Sequence, residues 1–223
     1  MISGSTEDIN LDEIEAIIFD FDGVLAESIN VKTEAFIKLF EQFGEEVVKK
    51  VVKHHIENGG ISRYKKIRYY YSEYLNKELS EKEVNEIAEK FSNLVLDKVT
   101  NSQWVKGAKD FLEKNYKKID FFVISGTPQE ELELIINKRN MKKYFKEVYG
   151  TPATKPEIAK RIINEYKYNR KKLLFIGDSL SDYLASKEEN IPFLGVVSDK
   201  KTSPFPKNTR IINDFTDINL RKN

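Results

Sequence analysis

Three uninterrupted apolar runs set the frame of this chain: Ile17-Ile18-Phe19, Phe121-Phe122-Val123-Ile124 and Leu173-Leu174-Phe175-Ile176. Runs of this length without polar alternation fit strands buried on both faces, as in a parallel sheet. Glu147-Val148-Tyr149, Phe193-Leu194-Gly195-Val196-Val197 and Arg210-Ile211-Ile212 predict further short strands. Helical patterns separate them, over Ala108 to Tyr116, from Pro128 onward, from Thr154 onward and over Leu180 to Glu189. Thr127 with Glu130 and Thr154 with Glu157 have the spacing of capping boxes, and Pro128 suits the first helical position. Strand–helix alternation of this kind predicts an α/β, Rossmann-like parallel sheet covered by helices.

The alternation is interrupted once. From Glu27 to Thr100 no strand-like run occurs, and the apolar positions take helical spacing instead. Phe36, Leu39, Phe40 and Phe43 form one stripe, and Gly44 is a stop. Glu45 to Glu57 reads as a second helix, Ser62 as the cap of a third, and Ser80 with Glu83 as the capping box of a fourth. The expected organisation is therefore an α/β core over 1–25 and 102–223, with a small all-α cap inserted over 26–101.

Composition narrows the function classes. The chain has 223 residues, 37 Lys+Arg against 36 Asp+Glu, a formal net charge of +1 and no cysteine. A near-zero net charge gives no global field that would favour nucleic acid. The absence of cysteine excludes disulfides, thiolate metal sites and a cysteine nucleophile. No apolar run is long enough for a bilayer, and Met1 to Asn10 lacks a signal-peptide pattern, so the expectation is a soluble cytoplasmic protein with no membrane or nucleic-acid partner.

The chemistry lies where the apolar runs end. Ile17-Ile18-Phe19 stops at Asp20-Phe21-Asp22-Gly23, and side chains at i and i+2 of an extended segment share one side. Two carboxylates so placed repel unless a cation sits beside them or one holds a proton. A divalent metal site, or a nucleophile paired with a general acid, satisfies that demand. A DxDG after a strand also serves as a plain turn, so the sites at the other strand ends decide. In open parallel sheets ligands bind beyond the carboxyl ends of the strands, where Asp20, Asp22, Ser125 and Asp178 all fall.

Asp20-Phe21-Asp22-Gly23-Val24, Ser125-Gly126-Thr127, Lys155-Pro156 and Gly177-Asp178-Ser179-Leu180-Ser181-Asp182 occur in the order of the four motifs of the haloacid dehalogenase-like (HAD) hydrolases, and the chain resembles that family over nearly its whole length. The resemblance implies a Mg²⁺-dependent phosphatase acting on a small phosphorylated metabolite. By it, Asp20 is the nucleophile that forms an aspartyl phosphate, and Asp22 the proton carrier. Ser125 and the Gly126 backbone N–H hold the phosphoryl oxygens, and Lys155 neutralises charge. Asp20, Asp178, Asp182 and the backbone carbonyl of Asp22 are the implied Mg²⁺ ligands. Asp182 also has a plain reading as an acid favoured at a helix N-terminus. Members that cleave carbon–halogen or carbon–phosphorus bonds lack an acid two residues past the nucleophile, so Asp22 points to oxygen esters.

The helical insertion is similar to the cap of the phosphoglycolate phosphatase and β-phosphoglucomutase branch. Gly60-Ile61-Ser62-Arg63 resembles the substrate loop of the mutases, which implies that Arg63 binds an anionic group of the substrate. The alternatives are accordingly a sugar-phosphate mutase and a non-catalytic phosphometabolite-binding protein. The mutases carry a His where this chain has Lys32, which counts against the first; the intact acids count against the second. Most of His54, His55, Lys65, Lys66 and Arg68 read as solvated helix faces, and Tyr69-Tyr70-Tyr71 as packing.

Overall fold

The computed structural model describes residues 11–198 and 203–218; the expected core's outermost parts, 1–10 and 219–223, lie outside them. Six parallel strands form one sheet in the order β3-β2-β1-β4-β5-β6. They are β1 Ala16–Phe19, β2 Asp120–Pro128, β3 Glu147–Thr151, β4 Leu173–Gly177, β5 Phe193–Val196 and β6 Ile211–Ile212. The chain winds outward from β1 through β2 and β3 on one side, then returns to place β4, β5 and β6 on the other. The sheet therefore reverses its winding between β1 and β4, which leaves a crevice at their carboxyl ends.

Strand β1 shows why its sequence has no polar position. Ile17 and Phe19 enter one apolar cluster while Ala16 and Ile18 enter the other, on the opposite face. Both faces are covered: α7 Lys155–Tyr166 and α8 Leu180–Glu188 pack on the second, α5 Ala108–Asn115 and α6 Gln129–Lys138 on the first.

Helices α1 Ile29–Phe40, α2 Glu45–Glu57, α3 Arg63–Leu75 and α4 Glu81–Thr100 form the all-helical insertion between β1 and β2. Its core is aromatic. Phe36 meets Phe91 with ring centroids 4.5 Å apart, and Tyr70 stands edge-on to Phe36 and Phe40. Leu39 and Phe43, expected on the same stripe, are partly buried at its margin. The connecting segments lie side by side, with Ala26 bridging Asp22 and Trp104. Arg139, at the end of α6, donates from one guanidinium nitrogen to the carbonyls of Val99, Thr100 and Ser102, clasping the second crossing.

Two capping expectations fail. Ser62 precedes α3 without a side-chain capping bond. Thr127 does not cap α6: Pro128 is the N-cap, and the Thr127 hydroxyl turns toward Ser125 and Lys32 instead. The boxes at Ser80/Glu83 and Thr154/Glu157 form as expected. No described helix is long and apolar enough to cross a membrane.

Phe40 is fully buried among these rings. Phe40→Ala is expected to cost about 3–5 kcal/mol in urea unfolding; a loss below about 1 kcal/mol would show that the insertion's core is not packed around it.

Candidate active site

The Asp20–Asp22 turn is shaped by what its neighbours need. Asp20 N–H donates to the Ile176 carbonyl at 2.9 Å, extending the β1–β4 ladder one step past the strand. Phe21 is buried in the core, so its side chain anchors the segment while Asp20 and Asp22 turn to the crevice. Gly23 then adopts φ +76°, and a Cβ there would run into the Asp178 carboxylate and Ile29. The chain folds back at once, Gly23 N–H donating to the Ala26 carbonyl at 2.8 Å.

Strand β4 and helix α8 supply the second acid group. A Cβ on Gly177 would strike the Asp182 side chain, so glycine lets the helix sit close against the strand end. Asp182 is fully buried. One of its oxygens accepts from the Ser179 N–H at 3.1 Å and the Ser179 hydroxyl at 2.5 Å; the other accepts from Lys155 Nζ at 2.6 Å. Asp182 is thus both the capping acid of α8 and a partner of Lys155. Lys155 opens α7, and the same Nζ lies 3.0 Å from Asp20 Oδ2. One oxygen each of Asp20, Asp178 and Asp182 lie within 4.8 Å of one another.

The electrostatics separate the acids. Burial, with the charge of Asp182 beside it, raises the Asp20 carboxyl to about 7 against the pull of Lys155. Burial and the neighbouring Asp20 and Asp182 likewise push Asp178 well above the carboxylate range. Lys155 is held above its ordinary value: burial opposes its charge, but Asp182 and Asp20 outweigh it. Asp22 moves the other way. Burial works against its charge, yet Lys32 and the Ser28 hydroxyl, donating at 2.6 Å, keep it below the usual range. One carboxylate is therefore kept ionised beside others that lack enough positive charge.

Ser125 Oγ accepts from the Thr127 N–H at 3.1 Å and lies 3.4 Å from the Asp22 carboxylate. Lys32, from α1, forms an ion pair with Asp22 and donates to Thr127 Oγ1 at 2.9 Å. Above Gly126 sits the loop before α3. A Cβ on Gly126 would come within 2.5 Å of the Gly60 carbonyl oxygen, and Ser181 Oγ donates to the Gly59 carbonyl at 3.0 Å. The insertion is thus docked on the core, and the two form a cavity of about 610 Å³ that is partly open to solvent. Asp20, Asp22, Gly126 and Asp178 form its floor; Phe36, His55, Arg63, Lys66 and Phe91 line the opposite wall.

The fold brings Asp20, Asp22, Ser125, Gly126, Lys155, Asp178 and Asp182 together at the ends of β1, β2 and β4 and the starts of α7 and α8. Arg63 reaches the cavity wall, but its guanidinium forms a two-pronged pair with Glu131 of α6 at 2.6 and 2.8 Å and a bond to Ser92 at 2.6 Å. Sequence reasoning gave Lys32, Thr127, Lys66 and Glu131 no role in the site, and His55 and Lys66, expected on solvated faces, are buried. Lys66 carried a signal, since Arg63, Lys66, Ile67 and Tyr70 fall at helical spacing on one face, and all four are buried. Glu131 had none, because its partner is 68 positions away in sequence.

A family model for haloacid dehalogenase-like hydrolases matches residues 17–196. No protein of curated function matches at the level of sequence. Among solved structures, a predicted phosphoglycolate phosphatase from Haemophilus somnus 129PT aligns with a TM-score of 0.70 at 20% identity, over 92% of this chain and 96% of that one. CbbY from Rhodobacter sphaeroides, in complex with phosphate, gives 0.71 at 17% over 92% and 96%. The Bacillus subtilis protein YfnB, bound to magnesium, gives 0.68 at 15% over 91% and 96%. At these identities the likeness is one of fold, and the family rests on the sequence model, which spans most of the chain and all four motifs. The chain belongs to the haloacid dehalogenase-like hydrolases.

Proposed function

We propose that the protein is a Mg²⁺-dependent phosphatase that hydrolyses a small phosphorylated metabolite through an aspartyl phosphate on Asp20. The observation that carries this reading is the division of labour between neighbouring acids: Asp20 touches Lys155, whereas Asp22 is held apart by Lys32 and Ser28. Asp22, ionised beside Lys32 before substrate arrives, takes up a proton from solvent as the phosphate dianion enters next to it, and the ester oxygen leaves with that proton as Asp20 attacks phosphorus. Asp22, then a carboxylate, takes a proton from the water that attacks the acyl phosphate, releasing inorganic phosphate and restoring both acids. Ser125 and the Gly126 N–H hold the equatorial oxygens, and Lys155 offsets their charge. The docked insertion covers part of the crevice and so limits the water that reaches the intermediate.

The donor set fits a hard divalent cation. Asp20 and Asp178 are crowded with Asp182 around one point and are short of positive charge, with oxygen as the only donor type. Asp20, Asp178 and Asp182 would hold the ion, with Asp182 also steering Lys155 and the Asp22 carbonyl completing the protein ligands. Bound there, Mg²⁺ supplies charge neutralisation for the phosphate dianion and for Asp20 as it approaches it. The solved relatives bound to magnesium and to phosphate agree with this reading. The mutase alternative drew on Gly60 to Arg63, and Arg63 is spent on Glu131 here, so hydrolysis is favoured.

Asp20→Asn is expected to abolish Mg²⁺-dependent hydrolysis of p-nitrophenyl phosphate, and Asp22→Asn to lower kcat by about 10²–10⁴-fold. Wild-type turnover by Asp20→Asn would overturn the proposal. Free phosphate should appear in step with substrate loss; isomer formation without it would favour a mutase.

Metal binding has a second readout. A carboxyl whose folded value is raised from 3.8 to about 7 holds its proton more tightly in the native state. Stability of the metal-free protein should therefore fall as pH rises through that window. Mg²⁺ should raise the Tm of chelator-treated protein more at about pH 8 than at about pH 5. An equal or smaller shift at the higher pH would contradict the assignment of these acids.

A further inference from the structure

The cavity has three cations in its walls, and two of them are spoken for. Lys32 is paired with Asp22. Arg63 is paired with Glu131, bonded to Ser92 and stacked 4.5 Å from the Phe91 ring centroid. Lys66 is the exception. It is 3% exposed, it lines the cavity, and among the described residues no carboxylate lies within ion-pair distance of it. Its Nζ is 2.9 Å from His55 Nδ1 and 3.3 Å from the His55 carbonyl oxygen. It also lies 6.0 Å from the Phe36 ring centroid, a weak contact and no counter-ion, and of its three N–H groups the two His55 partners leave one without a hydrogen-bond acceptor.

His55 is not a counter-ion. Burial first, then the charges of Lys66 and Lys32, lower it to about 3, so it is neutral and its Nδ1 accepts from Lys66. Burial likewise lowers Lys66 to about 7, with Lys32 adding to the effect and Asp178 and Asp22 opposing it. Glu27 and Glu57 also line the cavity, but both are solvent-exposed and neither pairs with Lys66. A buried, unpaired lysine is costly to the fold alone. An anion entering the cavity would remove that cost by giving it a partner.

Building on the phosphatase reading above, we propose that Lys66 determines specificity by pairing with a second oxyanion of the substrate, so that the preferred metabolites are phosphate esters carrying a carboxylate or a further phosphate. The phosphate being cleaved lies on the floor, against Asp20, Ser125 and Lys155, and the second anion meets the wall supplied by α3. His55 is the positioning residue: through Nδ1 and its carbonyl it aims the ammonium into the cavity. Arg63 instead ties α3 and α4 of the insertion to α6 of the core. The arrangement selects the closed form for substrates that reach both ends.

Three esters of matched length test this: n-propyl phosphate, the phosphate ester of 3-hydroxypropionate, and propane-1,3-diol bisphosphate. The wild type should show a kcat/KM at least about tenfold higher for one of the anionic-ended esters than for propyl phosphate, the size of one charge-assisted contact. Whether the carboxylate or the bisphosphate wins identifies the second anion. Lys66→Met, which keeps length and removes charge, should bring that ratio close to one, mainly through KM, and Lys66→Arg should restore part of it. Thermal unfolding checks that both variants fold. A wild type without preference, or a preference unchanged in Lys66→Met, would overturn the proposal. If the wild type hydrolyses none of the three, the phosphatase reading fails separately. Titration calorimetry with the same compounds then decides: tighter binding of an anionic-ended ester that is lost in Lys66→Met supports the pairing, and equal binding of all three refutes it.

Discussion

The contact on which the rest of this molecule depends is the ammonium of Lys155 held between Asp20 and Asp182, at 3.0 and 2.6 Å. Three carboxylates, two of them buried, meet where β1 and β4 end and α8 begins, which is unfavourable without compensating charge. Lys155 supplies part of that charge, and its own elevated protonation shows how strongly the acids hold it. The remaining deficit is what suits the site to a divalent cation and a phosphate dianion together. The glycines at 23 and 177 serve the same end, letting strand ends and helix starts approach more closely than a side chain would permit.

The insertion extends this electrostatic arrangement rather than merely covering it. Lys32 comes from its first helix to pair with Asp22, so the proposed proton carrier is tuned by an element absent from the sheet. The loop at Gly59 and Gly60 touches Ser181 and passes over Gly126, linking the docked position to the backbone proposed to hold phosphate. Arg63 and Glu131 form a buried pair across the same boundary. Breaking one partner of such a pair leaves an uncompensated charge, so docking of the insertion and completion of the site are tied together.

Much of this was legible in the sequence, for a physical reason. A parallel sheet needs strands apolar on both faces, so the runs at 17–19, 121–124 and 173–176 stood out, and polar residues ending them had to lie at one edge. The helical insertion was readable from periodicity, and Asp20, Asp22, Ser125, Lys155, Asp178 and Asp182 from motif order. What was not readable depended on tertiary competition. Thr127 had the spacing of a cap, but its hydroxyl finds Lys32 and Ser125 instead. Arg63 carried a substrate-binding pattern, yet Glu131, on a different element, takes its guanidinium. Lys66, in a lysine-rich stretch, looked like a solvated face until its helix was packed against the cavity.

The central claim is that the phosphoryl group passes to Asp20 before it reaches water. The steric course at phosphorus tests this directly, using an ester made chiral with oxygen isotopes and sulfur and hydrolysed in isotopically labelled water. Two in-line displacements, first by Asp20 and then by water, predict net retention of configuration. Net inversion would mean a single displacement by water and would contradict the account.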